Sequence, residues 1–216
     1  MEYPEQLQDY ALNEIRRRIQ TGEYPGGYHL VSKTIADSLG ISSTPVISAI
    51  NRLAMMGLVE LLPRRGAVVR KHTAADIRHF SDTRIMMERY AARHACRNVD
   101  KMPEVTREMH KAAEELATIP LDNIERISEL ENRFHSLFVS LAGNPQLDRL
   151  YNFNWGVGSV YHIYTVKNVD PENLRTSLLE HREILRILLS GDSDQLERIL
   201  LAHLRFVDRA ADWAQT

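Results

Sequence analysis

Residues 30–46 read Leu30-Val31-Ser32-Lys33-Thr34-Ile35-Ala36-Asp37-Ser38-Leu39-Gly40-Ile41-Ser42-Ser43-Thr44-Pro45-Val46. This is the pattern of a short helix, a glycine turn and the start of a second helix, which is the layout of a helix-turn-helix. Ser32 is expected to cap the first helix, and Ile35, Ala36 and Leu39 fall on one face by i, i+4 spacing. Gly40 suits the left-handed C-terminal cap. Ser42 is expected to cap the second helix, with Pro45 in its first turn. Val46, Ala49, Ile50 and Leu53 form the inward stripe of that second helix, which Gly57 closes after Met56.

Outward from this core the same unit continues. Upstream, Pro4 to Gly22 predicts a helix that buries Leu7, Ala11, Ile15 and Ile19. Downstream, Leu58–Leu62 and Ala67–Val69 are β-prone runs around Pro63-Arg64-Arg65-Gly66, which predicts a hairpin. Two arginines at its tip make it a wing suited to phosphates or the minor groove. Helix pairs around a glycine also occur in proteins that never touch DNA. The wing at the right distance favours the DNA-reading alternative.

Composition sets the frame. The 216 residues carry 27 Lys and Arg against 29 Asp and Glu, for a net charge of −2. Residues 1–72 hold nine basic and seven acidic side chains, net +2, leaving −4 for the remainder. That split permits nucleic-acid binding by the first part without requiring it. The single cysteine, Cys96, excludes an internal disulfide and reads as a small core residue. There is no signal-peptide pattern and no apolar run of the ~20 residues a membrane span needs, so no membrane partner is expected and a cytoplasmic location is.

After a linker at Arg70-Lys71-His72-Thr73 the strand signals stop. Successive amphipathic helices are predicted over about 74–97, 103–117, 121–142, 145–166, 171–190 and 192–213, with Thr73 capping the first. The expected fold is therefore mainly α: an N-terminal winged helix-turn-helix domain (1–72) and an all-α antiparallel helical bundle (73–216).

Within the bundle, Glu131 and His135 lie four apart on a helix face shared with Ile127, Leu130, Phe134 and Phe138, so both point inward. His181 and His203 also sit on apolar stripes of their helices. A histidine on such a stripe is more often a hydrogen-bonded core residue than a ligand. Three of them, one with a carboxylate a turn before it, are also the donor set of a divalent metal site, with imidazole nitrogens suited to Zn²⁺ or Ni²⁺. Spacing leaves the two readings open. His162 is read as a pocket residue; His29 and His72 are read as surface or linker residues.

These residues together resemble the GntR family of bacterial transcription regulators. The matching phrases are Leu39-Gly40-Ile41-Ser42, Thr44-Pro45-Val46, Ala49-Ile50-Asn51-Arg52-Leu53 and Gly57-Leu58-Val59-Glu60, followed by Arg65-Gly66-Ala67-Val68-Val69. The second half resembles the family's all-helical FCD ligand-binding domain. The resemblance implies a homodimer that binds a double-stranded DNA operator, in the commoner case as a repressor, and senses a small organic acid. It implies DNA contacts at Lys33, Ser43, Thr44, Ser48, Asn51, Arg52, Arg64, Arg65 and Gly66. Lys33, Ser43 and Ile47 stand where the family usually has arginine. Lysine neutralises a phosphate but lacks the two-pronged bond to guanine, so a changed base preference is expected.

The resemblance also favours the metal reading. Metal-binding FCD domains carry an Asp-x-x-x-His pair and two later histidines, matched here by Glu131, His135, His181 and His203, with glutamate replacing aspartate. It places Arg84 in the effector pocket, where it can bind a carboxylate; the alternative is a solvated ion pair with Glu88. Asn154, Tyr161 and Tyr164 are candidate pocket walls, although aromatic residues at helical spacing are more often plain core. Two other functional classes follow from the same residues. One is a metal-dependent enzyme, which lacks a separate inward general base. The other is a protein-interaction module with a degenerate DNA-binding head.

Overall fold

The computed structural model describes residues 4–205, apart from the side chains of Pro4, Glu5 and Tyr164. The chain forms two compact units that meet between His72 and Thr73.

The first unit contains α1 (Pro4–Thr21), β1 (His29–Leu30), α2 (Ser32–Leu39), α3 (Ser43–Met55), β2 (Val59–Leu62) and β3 (Gly66–Val69). Its core is Ala11, Ile15, Ile19, Ile35, Val46, Ala49, Leu53 and Leu58, all buried. Leu7 is only half-buried. β3 is the centre of a three-stranded antiparallel sheet in the order β1-β3-β2, with Leu62 opposite Gly66 and Leu30 opposite Ala67. β1 is a two-residue strand that hydrophobic alternation cannot reveal.

Gly40 takes the left-handed conformation (φ 67°) at the end of α2 as expected. The serine caps are corrected. α2 begins at Ser32 itself, and its N-cap is Val31, whose carbonyl accepts the first helical bond from Ile35. Chain leaving β1 enters the helix one residue earlier than a Ser32 cap allows. Ser42 does occupy the N-cap of α3, but its hydroxyl makes no capping hydrogen bond.

The second unit is a helical bundle: α4 (Ala74–Asn98), a 3₁₀ turn (Val99–Lys101), α5 (Pro103–Thr118), α6 (Ile124–Ser140), α7 (Pro145–Asn168), α8 (Pro171–Ser190) and α9 (Ser193–Leu204). The expected last helix runs to 213, and its part after residue 205 lies outside the described residues. Local chemistry sets these boundaries. Thr73 and Asp76 form a reciprocal capping box at the start of α4. Asn144 and Asp170 accept bonds from the first free N–H groups of α7 and α8, each followed by a proline at the first helical position. Asp192 caps α9 through Gln195.

α6 lies at the centre, packed on α4, α5 and α7, and α8 and α9 close the bundle against α5 and α4. Phe134, Phe138, Ile127, Leu130, Met109, Leu116 and Leu178 are fully buried between these helices. Cys96 is half-buried against the same core. No helix among the described residues is long and apolar enough to cross a membrane.

Candidate functional site

In the first unit the inward stripe of α3 leaves a defined outer face. Thr44, Ile47, Asn51 and Met55 are exposed along it, and Ser43 and Ser48 are half-buried at its margin. Their spacing of three and four residues places them on one side of the helix. Lys33 is exposed on α2, and Arg64, Arg65 and Gly66 are exposed at the hairpin tip. Arg64 holds a positive φ of 62°, the one non-glycine residue among those described to do so. Arg52 is turned to α1, where its guanidinium meets Asp9 at 2.5 Å. Sequence reading overlooked Met55, which continues the outer stripe one turn past Asn51.

In the second unit α6, α8 and α9 bring Glu131, His135, His181 and His203 together. All four are buried, and one donor atom from each lies within 4.8 Å of the others. Nε2 of His135 is 3.2 Å from Nε2 of His181 and 3.3 Å from Nε2 of His203. Nε2 of His181 is 3.1 Å from Oε1 of Glu131.

The outer nitrogens decide what these inner atoms carry. Nδ1 of His135 faces Oε2 of Glu88 at 2.7 Å, Nδ1 of His203 faces Oε2 of Glu180 at 2.9 Å, and Nδ1 of His181 faces the carbonyl of Leu178 at 3.1 Å. Carboxylates and carbonyls only accept, so each Nδ1 holds the ring proton and donates it. A second proton is opposed on His135 and on His203. Burial pulls His135 down to about 3, Glu88 only partly offsetting it. Burial, followed by the neighbouring His181, also lowers His203. Nε2 of His135 and Nε2 of His203 therefore present bare lone pairs to each other at 3.3 Å, beside Nε2 of His181, which faces Oε1 of Glu131.

This is the fit test for a metal. Imidazoles paired by lone pair at hydrogen-bond distance repel unless a cation sits among them. A tetrahedral ion about 2.0–2.1 Å from its ligands separates them by about 3.3 Å, which matches the His135–His181, His135–His203 and His181–Glu131 separations of 3.2, 3.3 and 3.1 Å within a set that spans up to 4.8 Å. Each Nδ1 partner supplies the outer hydrogen bond that metal-bound histidines need. The residues fit a divalent ion.

Arg84 is buried, unlike in the solvated alternative, and it pairs with Glu88, Nε donating to Oε1 at 2.8 Å. Glu88 is completely buried and also accepts from the hydroxyl of Tyr151 at 2.8 Å. Burial works against the Glu88 carboxylate, but His135 and Arg84 outweigh it and hold the group at about 2. Burial likewise opposes ionised Glu131, and the contact with His181 reverses that, keeping it well below the usual carboxylate range.

Arg84, Glu131, His162, Ser177 and His203 line a small enclosed space with room for about one water molecule. Nη2 of Arg84 and Nδ1 of His162 are buried with no hydrogen-bond partner among the described residues. Burial, with Arg84 nearby, lowers His162 to about 4 despite Glu131 at 3.8 Å. Tyr161 packs edge-on against Phe80 instead of lining this space, and Asn154 is half-buried on α7 away from its wall. The side chain of Tyr164 lies outside the described residues.

Sequence reading missed Glu88, Tyr151 and Glu180. A signal for Glu88 existed: Arg84, Glu88, Ala91 and Ala95 recur at steps of four, three and four, the core phase of α4.

Comparison with known proteins agrees with this architecture. Residues 7–69 match the model of bacterial regulatory proteins of the gntR family, and residues 79–206 match that of the FCD domain. An uncharacterized HTH-type transcriptional regulator from the TAR-I ttuE-ttuC' intergenic region of Agrobacterium vitis is 33% identical over 134 residues, covering 61% of this chain and 78% of that protein. The HTH-type transcriptional repressor RspR of Escherichia coli is 28% identical over 186 residues, covering 85% and 79% respectively. The solved structure of E. coli McbR/YncC has the same fold, with a TM-score of 0.83 and 19% identity over the whole of both chains. The chain belongs to the GntR family of bacterial regulatory proteins, as a transcriptional regulator with an FCD domain and not as an enzyme.

Proposed function

We propose that this regulator senses a small organic acid through a divalent metal, Zn²⁺ or Ni²⁺, held by Glu131, His135, His181 and His203. The observation that carries the reading is the convergence of three Nε2 atoms and a carboxylate, each imidazole with an acceptor behind it at Nδ1. When bound, the ion supplies positive charge for an anionic ligand. Counting the buried charges gives the ligand's class. Arg84, Glu88 and Glu131 sum to one negative charge, so a divalent ion brings the site to one positive charge. A single carboxylate balances it, and unbalanced buried charge is costly. Nη2 of Arg84 and Nδ1 of His162, both unpartnered, are its hydrogen-bonding positions.

The space is too small for such an acid as it stands, so binding has to displace a wall. Leu174 and Ser177 on α8 and Leu204 at the end of α9 form that wall, apart from the four proposed metal ligands. A ligand that favours the displaced arrangement shifts the protein toward it, which is the differential affinity that regulation requires.

The DNA-reading face is assigned to Lys33, Ser43, Thr44, Ser48 and Asn51 with Arg64, Arg65 and Gly66 on the wing. Arg52 serves instead to join α3 to α1 through Asp9. Ile47 and Met55 add apolar contacts suited to thymine methyl groups. The protein acts in the cytoplasm as a homodimeric repressor. Exposed Met86 and Tyr90 on α4 and Leu150 and Phe153 on α7 supply apolar surface for pairing in the second unit.

The test measures metal content of the purified protein by mass spectrometry, then operator binding with and without a panel of mono- and dicarboxylates. Stoichiometric metal, and release from DNA by a monocarboxylate only in the metal-loaded protein, supports the reading. Ligand response unchanged after metal removal overturns it.

A further inference from the structure

Glu88 holds a position that neither the metal ligands nor the ligand pocket accounts for. Its carboxylate is wholly buried on α4 and splits its two oxygens between different tasks. Oε1 accepts from Nε of Arg84 and from the hydroxyl of Tyr151, both at 2.8 Å. Oε2 takes the Nδ1 proton of His135 at 2.7 Å. We propose that Glu88 is the positioning residue that fixes the tautomer of His135, and that it thereby sets metal affinity while holding Arg84 toward the ligand space. This rests on the metal reading above.

The argument turns on what each oxygen can tolerate. Arg84 and Tyr151 are both donors, so the atom between them has to be an acceptor. The atom facing Nδ1 of His135 has to accept as well if the lone pair is to remain on Nε2. Only a carboxylate satisfies both sides. Glutamine keeps the shape and fails in a defined way. Its oxygen is held by Arg84 and Tyr151, so its amide N–H group points at Nδ1 of His135. That ring then accepts at Nδ1 and moves its proton to Nε2, the atom aimed at the metal position. Glu180 behind His203 offers a contrast. Its side chain is 36% exposed, and no second donor is seen to lock it. A glutamine there is free to present its oxygen to Nδ1, leaving the tautomer of His203 unchanged.

The arrangement also joins two functions in one group. Committing Nε of Arg84 to Glu88 leaves Nη2, 3.9 Å from Oε2 of Glu131 and without a hydrogen bond among the described residues, as the donor offered to the ligand space. A change of the His135–Glu88 bond therefore reaches the arginine through one carboxylate, a physical link between metal and acid binding.

The experiment compares the wild-type chain with Glu88→Gln, Glu180→Gln and Arg84→Met/Glu88→Gln. The double variant removes both charges of the buried Arg84–Glu88 pair together, so that neither is left facing the other's uncharged replacement. Two quantities are read: Zn²⁺ affinity by competition with a chelator, and the ring ¹⁵N shifts of His135 in metal-free protein, which report which nitrogen is protonated. The expected result is a roughly 10–100-fold loss of Zn²⁺ affinity in Glu88→Gln, a smaller loss in Glu180→Gln, and a His135 proton that moves from Nδ1 to Nε2 in Glu88→Gln but stays on Nδ1 in the double variant, where the amide is no longer held by Arg84. Wild-type affinity or an unchanged tautomer in folded Glu88→Gln, or the same tautomer shift in the double variant, overturns the proposal. Failure of the wild type to bind Zn²⁺ or Ni²⁺ defeats the metal reading instead, and the tautomer measurement then decides the role of Glu88 by itself.

Discussion

Nε2 of His135 and Nε2 of His181 face each other across 3.2 Å, with the ring protons of both residues drawn to the far side by Glu88 and the Leu178 carbonyl. On the proposed metal reading, a cation held among these nitrogens and the Glu131 carboxylate ties α6, α8 and α9 together. Metal removal is therefore expected to destabilise the helical unit. At an ion concentration 100 times Kd the bound metal contributes about 2.7 kcal/mol, which for this size of domain is a Tm difference of about 5–11 °C. Thermal unfolding with and without chelator measures it. His181→Ala should melt at the same temperature in both conditions, and a chelator effect that persists in that variant places the metal elsewhere.

Acid acts on the same cluster. His135 and His162 are buried neutral, at about 3 and about 4 against 6.5 for a free imidazole. Between those values the unfolded chain binds the protons that the folded chain refuses. Stability is therefore complete above pH 6.5 and falls as pH drops toward 3, each histidine adding a slope of up to about 1.4 kcal/mol per pH unit. Glu88, held at about 2, adds a loss in the same direction, confined to the range below its ordinary value of 4.5. Denaturant titrations of the metal-free protein from pH 8 to pH 4 should show this decline. A flat profile means that the cluster is already protonated when folded.

The sequence carried the elements because punctuation is local. Gly40, Asn144-Pro145, Asp170-Pro171 and Gly191-Asp192 end or start helices through groups within a few residues of each boundary. The clustering of Glu131, His135, His181 and His203 was legible because each sits on an apolar stripe, where a polar side chain has to meet a partner. For Glu88 the core phase of α4 was outweighed by Arg84 and Glu88 at i, i+4, the pattern of a surface pair. Their burial is imposed by α6 and α7, which pack on α4 from far along the chain. Tyr161 was misplaced for a related reason: its stripe on α7 meets Phe80, a residue that only the fold brings near.

Gly158 on α7 marks the closest approach to α4. A Cβ built on it would lie 1.9 Å from Cζ of Phe80, whose ring is held edge-on by Trp155 and Tyr161. Alanine for glycine in a helix interior ordinarily stabilises by about 1 kcal/mol. Here the sign reverses, because the added methyl group must displace a confined ring. Gly158→Ala is expected to destabilise the unit by about 1–3 kcal/mol, read from chemical denaturation. Phe80→Leu in the same chain should recover part of the loss, and additive effects of the two changes would show that the contact is not the cause.

Arg64 sits at the hairpin tip with φ 62°, a backbone region that disfavours arginine and accepts asparagine. An arginine kept in a costly conformation on an exposed turn points to a function outside the fold. Arg64→Asn should therefore leave the first unit at least as stable, by up to about 1 kcal/mol, while weakening DNA binding. If the guanidinium meets a phosphate, affinity falls by a similar factor for every DNA sequence and the salt dependence becomes shallower by about one unit of slope. Fluorescence anisotropy at several salt concentrations, with specific and random duplexes, separates that outcome from loss of a base contact, which would reduce only the discrimination between duplexes. Unchanged affinity and slope for both duplexes would remove Arg64 from the DNA-reading face and leave its backbone strain without a functional cause.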